Sequence, residues 1–344
     1  MDVIEQAVII AAGRGVQLGP LTRDRPRPML PVLGKPVVIR IMDRMREAGI
    51  RHFIVVVGEH EGGVASYLNG GWVPDAQVQI VLQPESRGTL DAFAAATRYI
   101  TGPFLVASCD HLVPEDHVAK LIDQFWKTQA DMILSLTPYS NETAFPVVTL
   151  DGEAVTEISL EVPSEDRRLS SFMVYACGSR ILDHLAAASP DDYEMARPIQ
   201  SLIDAGGQVG YLNAGWHMHL TKAIDLLTIN KRFLREGRDT HILSEIPASV
   251  QIIPPVRIDP RVSVGRGAKI GPYVYLESGS QIGQQAIIRD SIVLDKSEIA
   301  PKEFVYGQIV MRRQRISEEP EAQKTRPTKP EGLQKFLDSI KDES

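Results

Sequence analysis

Residues 7–36, AVIIAAGRGVQLGPLTRDRPRPMLPVLGKP, decide how this chain is read. Ala7 to Ala12 form an apolar run of the kind a buried strand presents. The run passes into Gly13-Arg14-Gly15 and then a loop broken by Pro20, Pro26, Pro28, Pro31 and Pro36. Six basic residues (Arg14, Arg23, Arg25, Arg27, Lys35, Arg40) face one acid, Asp24. A glycine turn lets backbone N–H groups converge on an anion, and nearby cations neutralise it. The pattern points to a polyphosphate site. Two other glycine-loop readings fail. Leu18 stands where a dinucleotide fingerprint has its third glycine, and no Gly-Lys-Ser/Thr follows for a Walker loop. On this motif alone, an ordinary strand-to-helix turn stays open.

Outward from that loop, composition sets the limits. The chain has 344 residues, 43% hydrophobic and 24% charged, which suits two packed domains. A net charge of −7, with the basic residues gathered in one loop, argues against nucleic-acid or acidic-membrane binding. Cys109 and Cys177 are the only cysteines, both in apolar runs, and read as buried free thiols in a reducing compartment. No stretch has the length of a membrane span, and the acidic start MDVIEQ is unlike a signal peptide. The expectation is a cytoplasmic protein.

Strand-like runs at 53–57, 78–82, 104–108 and 132–136 alternate with helical spacing at 35–48, 64–68, 90–99 and 113–129. This pattern predicts a parallel α/β sheet with helices on both faces and ligands at the carboxyl ends of its strands. Gly13, Gln83 and Asp110 would share that rim. Short strands at 145–150, 155–160 and 171–176 read as a meander layered on the first sheet, with 163–170 as a polar loop. Helices follow at 181–187 and 195–205, a strand at 209–212, and a long helix at 221–235.

The next segment repeats. Ile252, Ile258, Val264, Ile270, Leu276, Ile282, Ile288 and Leu294 recur every six residues. Val256, Val262, Ala268, Val274, Ser280, Ala286 and Ile292 stand two residues before most of them. A hexapeptide period is the mark of a left-handed parallel β-helix, here of about three coils. After Met311 the chain turns polar, and Leu333, Phe336, Leu337 and Ile340 form a short helical pattern near its end.

The loop continues in a specific way: Ala11-Ala12-Gly13-Arg14-Gly15-Val16-Gln17-Leu18-Gly19-Pro20-Leu21-Thr22, then Pro26-Arg27-Pro28-Met29-Leu30-Pro31-Val32-Leu33-Gly34-Lys35-Pro36. Joined to the C-terminal repeat, this resembles the sugar-1-phosphate nucleotidylyltransferases (NDP-sugar pyrophosphorylases) that carry a C-terminal left-handed β-helix. The resemblance covers most of residues 5–310. It implies a Rossmann-like α/β nucleotidyltransferase domain with a mixed sheet over 1–240, a short left-handed parallel β-helix over 245–311, and a flexible tail over 312–344. The implied reaction joins an NTP and a sugar 1-phosphate to give an NDP-sugar and pyrophosphate, with Mg²⁺ as cofactor. Its residues would be Ala11, Ala12, Gly13, Arg14, Gly15, Gln17, Gln83, Gly88 and Thr89 for the nucleotide. Arg27 and Asp110 would be catalytic, Glu161 would face the sugar phosphate, and Asp110 and Asn213 would hold the metal. The segment Tyr211 to Gly215 is taken as the match to the family's second metal-binding motif.

The departures from the family fall on charged positions. Gln17 replaces an arginine, Arg27 a lysine, Val162 the lysine of Glu-Lys-Pro, and Asn213 an aspartate; Pro146 replaces a glycine. Losing one preorganised charge contact costs about 10²–10³ in rate. Two functions therefore compete: a weakened nucleotidylyltransferase, and a non-catalytic member that binds NTP or sugar nucleotide and regulates a partner subunit. Partners would be a second copy or an active paralogue, with neither nucleic acid nor membrane. A third, acyl transfer by the β-helix, lacks a histidine base, because none occurs after His241. His217-x-His219 reads as a polar loop pair, Cys109 as a strand-end filler, and Gln83 as leaning toward a pyrimidine base.

Overall fold

The run that opens the decisive stretch is strand β1 (Gln6–Ile10) in a computed structural model describing residues 3–13, 15–59, 61–70, 72, 75–85, 87–140, 145–161, 168–188, 194–237 and 239–317. After it come α1 (Val37–Glu47), β2 (His52–Gly58), α2 (Gly62–Asn69), β3 (Gln77–Gln83), α3 (Thr89–Ala96) and β4 (Phe104–Ser108). Then follow α4 (His117–Thr128), β5 (Met132–Pro138), β6 (Val147–Asp151), β7 (Ala154–Ser159) and β8 (Leu169–Cys177). The series closes with α5 (Arg180–Ala186), α6 (Ala196–Asp204), β9 (Val209–Asn213) and α7 (Asp225–Arg235). The chain divides into two units, Met1–Asp225 and Leu226–Ser344.

Nine strands of the first unit form one sheet in the order β3-β2-β1-β4-β8-β5-β9-β7-β6. β3, β2, β1 and β4 run parallel, and β8 is antiparallel to both β4 and β5. Both faces of the sheet are covered. Val8 and Ile10 enter a core with Phe93 and Ile199, while Ala7 and Ile9 enter another with Met42 and Leu121. That double burial explains the unbroken apolar run. The chain passes from β1 to β2 on one side and returns from β3 to β4 on the other. The direction of winding thus switches between β1 and β4, where a doubly wound sheet leaves its ligand crevice.

Three sequence expectations change. The strand expected at 171–176 is not layered on the sheet; as β8 it sits inside it, hydrogen-bonded to β4 and β5. The helix expected from Val113 starts at His117, because His111–Leu112 is drawn into a ladder with Met218–His219. The helix expected from 221 starts at Asp225, whose carboxylate accepts from the Thr221 and Lys222 N–H groups at 2.8 and 2.6 Å.

In the second unit short parallel strands stack in three sheets. Gln251 pairs with Lys269, Val256 with Val274 and Ser263 with Gln281, each 18 residues on. In the next coil Tyr275 pairs with Ile292 and Gln281 with Glu298, only 17 residues on. The inward column is therefore Ile258, Val264, Ile270, Leu276, Ile282, Ile288, Val293, Ile299, Val305 and Val310, all buried together. Val293 takes the place expected for Leu294, since the corner after Ile288 is one residue shorter, as is the corner after Val305. Gly283 marks a corner where coils touch: a Cβ there would lie 2.4 Å from Pro301 N. Within the expected tail, Arg315–Ser317 folds back antiparallel on Gln308–Val310. The apolar residues from Leu333 to Ile340 lie outside the described residues. Among described residues no helix is long and apolar enough to cross a membrane.

Ile288 is fully buried in this stack. Ile288→Ala is expected to destabilise the second unit by about 2–5 kcal/mol. Urea unfolding followed by circular dichroism checks this; a midpoint within error of the parent would contradict the packing described.

Candidate active site

Ile10 and Ser108 are paired neighbours, so Ala11–Gly13 and Cys109–His111 leave the sheet side by side. Gly13 has φ 132° and Gly15 φ 56°, both in the region that favours glycine. A Cβ on Gly13 would lie 3.2 Å from Arg27 Nη2, and one on Gly15 would lie 3.1 Å from Arg27 Cβ. The glycine turn is thus moulded over the Arg27 side chain. Arg27 then reaches Asp110, its Nη1 donating to Oδ2 at 2.7 Å. Arg27 Nε is buried without a hydrogen-bond partner among the described residues.

Asp110 is fully buried and heavily engaged. Ser108 Oγ donates to its Oδ1 at 2.7 Å, and His219 Nε2 stands 3.1 Å from its Oδ2. Burial alone would raise its pKa; Arg27, then His219, outweigh burial and hold the carboxyl well below its ordinary range. His219 comes from the Met218–His219 ladder, where it pairs directly across from His111. The two rings stack with centroids 4.5 Å apart. His111 Nδ1 meets His217 Nε2 at 2.7 Å, and His219 Nδ1 meets Thr221 Oγ1 at 2.7 Å. Phe172 stacks on His217 at 3.9 Å, and Phe145 packs against all three histidines. Burial, followed by the neighbouring histidines, pushes His111 well down, and burial takes His217 down to about 3. Both rings are neutral at neutral pH.

The structure brings Gly13, Gly15, Arg27 and Asp110 into one group, with Ala11 and Ala12 as its buried strand end. Arg14 lies outside the described residues. Gln17 is exposed on the short helical loop Val16–Thr22. Gln83 and the start of α3 form a second group: Gln83 Nε2 donates to Gly88 O at 3.3 Å and to Asp91 Oδ2 at 2.7 Å. Both amide hydrogens are used, which leaves Gln83 only its carbonyl oxygen for a ligand. Thr89 is the first residue of α3.

Other expected residues fall elsewhere. Glu161 is exposed just beyond β7, outside the buried group, and Val162 lies outside the described residues. Asn213 ends β9 in an exposed position, paired with Leu136; the side chain from this stretch that reaches Asp110 is His219. The basic island is partly spent on the fold. Arg40 is buried and donates to the Val32 and Leu33 carbonyls, and Lys35 pairs with Asp43 at 3.0 Å. Burial pushes Cys109 up to about 12, so its thiol stays protonated at neutral pH, as a strand-end filler would.

Asp110, His111 and His219 each offer a ligand atom within 4.8 Å of the others, so His219 belongs to more than a polar loop pair. Sequence reasoning missed His111, although an Asp-His pair together with a His-x-His carried the signal. One carboxylate with two imidazoles does not fit the all-oxygen octahedron that Mg²⁺ demands.

A glycine turn and a carboxylate side by side at the switch point of a doubly wound sheet define a nucleotide-handling domain. The nucleotidyl transferase family model matches residues 6–216, more than half of the chain, and the chain belongs to that family, in the sugar-1-phosphate branch that its motifs resemble. A second model, the GMPPB C-terminal domain, matches residues 252–325. The bifunctional protein GlmU of Methanococcus maripaludis is 26% identical over 334 residues, 88% of this chain and 77% of that protein. The UTP–glucose-1-phosphate uridylyltransferase AglF of Haloferax volcanii is 25% identical over 224 residues, 62% of this chain and 90% of AglF. A UTP-bound UGPase from Acinetobacter baumannii shares the fold, with a TM-score of 0.59, 18% identity, and coverage of 68% of this chain and 94% of that one.

His117 gives a pH test. Its Nε2–H donates to Ser135 Oγ at 2.8 Å, since that hydroxyl's own hydrogen goes to Val174 O. Burial lowers its pKa from 6.5 to about 4. The unfolded chain therefore takes up this proton first, and stability is complete above 6.5 and falls as pH drops from there toward about 4. His217 acts with the same sign. The loss is expected to reach up to about 1.4 kcal/mol per pH unit for each histidine. Urea midpoints between about pH 7.5 and 5 should fall, less steeply in His117→Gln; equal slopes would contradict the assignment.

Proposed function

We propose that this protein is a nucleotidylyltransferase that joins an NTP and a sugar 1-phosphate to give an NDP-sugar and pyrophosphate. The observation that carries the reading is Arg27, held between the glycine turn and Asp110 at the switch point of the sheet. The Gly13 and Gly15 turn cradles the phosphates, and Arg14 stands between the two glycines in the sequence. The Arg27 guanidinium, its Nε still unpartnered, neutralises charge on the departing pyrophosphate. A sugar-phosphate oxygen attacks the α-phosphorus in line, a reaction that needs positioning and neutralisation more than a covalent nucleophile.

Gln83 presents only an acceptor, which suits a base edge bearing an N–H, as uracil and thymine do. A cleft of about 210 Å³ lined by Thr137, Phe145, His217, His219 and Thr221 takes the sugar. In this reading residues 1–240 form the transferase domain and 245–311 a left-handed hexapeptide β-helix that serves assembly, with a second copy or an active paralogue. Two buried free thiols suit a reducing cytoplasm.

A second reading has its own observation. The Asp110 carboxylate is already engaged by Arg27, His219 and Ser108, and Gln17 brings no cation, an arrangement suited to binding without turnover. Pyrophosphate release, followed with each NTP and a panel of sugar 1-phosphates, separates the two. Turnover with a uridine or thymidine nucleotide is expected, reduced about 10²–10³-fold in Arg27→Met. Nucleotide binding with no pyrophosphate from any pair would leave the regulatory reading. Gln17→Arg is expected to raise turnover about 10-fold or more, because it returns a cation to the phosphates.

A further inference from the structure

We propose that Asp110, His111 and His219 form a binding site for a first-row transition-metal ion of the Zn²⁺ or Co²⁺ kind, in preference to Mg²⁺. The inference concerns binding by these side chains and stands whether or not the protein turns over substrate.

The donor set comes first. Two imidazoles and one carboxylate match the ligands of Zn²⁺ and its neighbours, whereas Mg²⁺ favours oxygen alone. Around an ion bonded at about 2.0–2.1 Å, adjacent tetrahedral ligand atoms lie about 3.3 Å apart. His219 Nε2 and Asp110 Oδ2 already stand at 3.1 Å, and all three ligand atoms fall within 4.8 Å of one another. The backbone fixes this arrangement, because His111 and His219 are direct partners across the ladder.

The outer contacts are those a metal site needs. A ligating histidine engages its other ring nitrogen with a neighbour, which sets the ring orientation. His219 Nδ1 meets Thr221 Oγ1, His111 Nδ1 meets His217 Nε2, and Asp110 Oδ1 accepts from Ser108. Each ligand atom is thereby left on one side and its partner on the other. Asp110 and His111 are buried, while the His219 side chain is 18% exposed and borders the cleft, which gives an ion a way in and room for a further oxygen ligand.

Arg27 is the internal competitor. Its guanidinium sits on the same Oδ2 at 2.7 Å, so an ion that takes this oxygen must displace a cation. The displaced group lies against Gly13, where phosphates are expected, and its buried Nε has a hydrogen bond still to make. Metal and Arg27 are therefore alternative counter-charges of one carboxylate.

The test uses tag-free full-length protein stripped with a chelator and without nucleotide. Zn²⁺, Co²⁺ and Mg²⁺ are titrated by calorimetry, and Co²⁺ also by its visible absorption. One equivalent of Zn²⁺ or Co²⁺ is expected to bind at least about 10²-fold more tightly than Mg²⁺, with a Co²⁺ band of low-coordinate intensity. His111→Ala and His219→Ala should each weaken it by about 10-fold or more, and Arg27→Met should tighten it. His219→Asp keeps a ligand while making the set more oxygen-rich, so it should narrow the preference for Zn²⁺ over Mg²⁺ even if the alanine variants fold poorly. No binding, Mg²⁺ bound as tightly as Zn²⁺, or Zn²⁺ affinity and selectivity unchanged in the folded His219 variants would overturn the proposal.

Discussion

Asp110 is a full negative charge with no exposure to water, and the first unit is arranged to hold it. A buried carboxylate without partners would be neutralised by taking up a proton. Here Arg27 crosses from the proline-rich loop, His219 from the segment after β9, and Ser108 from the strand end to keep it ionised. Removing one member of a buried ion pair typically costs about 3–5 kcal/mol, because the other charge is left stranded. The loop from Gly13 to Arg27 is therefore anchored by electrostatics as much as by its apolar residues Leu18 and Leu21.

The same contact connects fold and chemistry. The glycines are needed where they stand because the Arg27 side chain occupies the space a Cβ would take. Arg40 plays a quieter part, holding the Val32 and Leu33 carbonyls so that the loop can turn into α1. Basic residues close in sequence thus part in space: Arg27 faces the site, while Arg40 and Lys35 support its frame.

Much of this was legible in the chain itself. The apolar runs of β1, β2 and β4 and the hexapeptide column are local patterns, and local patterns survive folding. Leu294 was misassigned because a corner shortened by one residue leaves no mark in an aliphatic-rich stretch. The insertion of β8 between β4 and β5 was hidden for a different reason: strand pairing is a long-range choice that hydrophobic alternation does not encode. Asn213 ends its strand exposed, whereas the ladder sets His219 beside His111, a pairing across about a hundred residues that no local pattern shows.

That ladder has a consequence for how the molecule comes into being. His111 and His217 are 106 positions apart. Contacts of such separation form only after the loop entropy between them has been met. The sheet around β1, β2 and β4 can collapse while Asp110 still lacks His219. The nascent chain therefore acquires its scaffold before its site, and a polypeptide cut short before His217 would keep the glycine turn and lose His217 and His219.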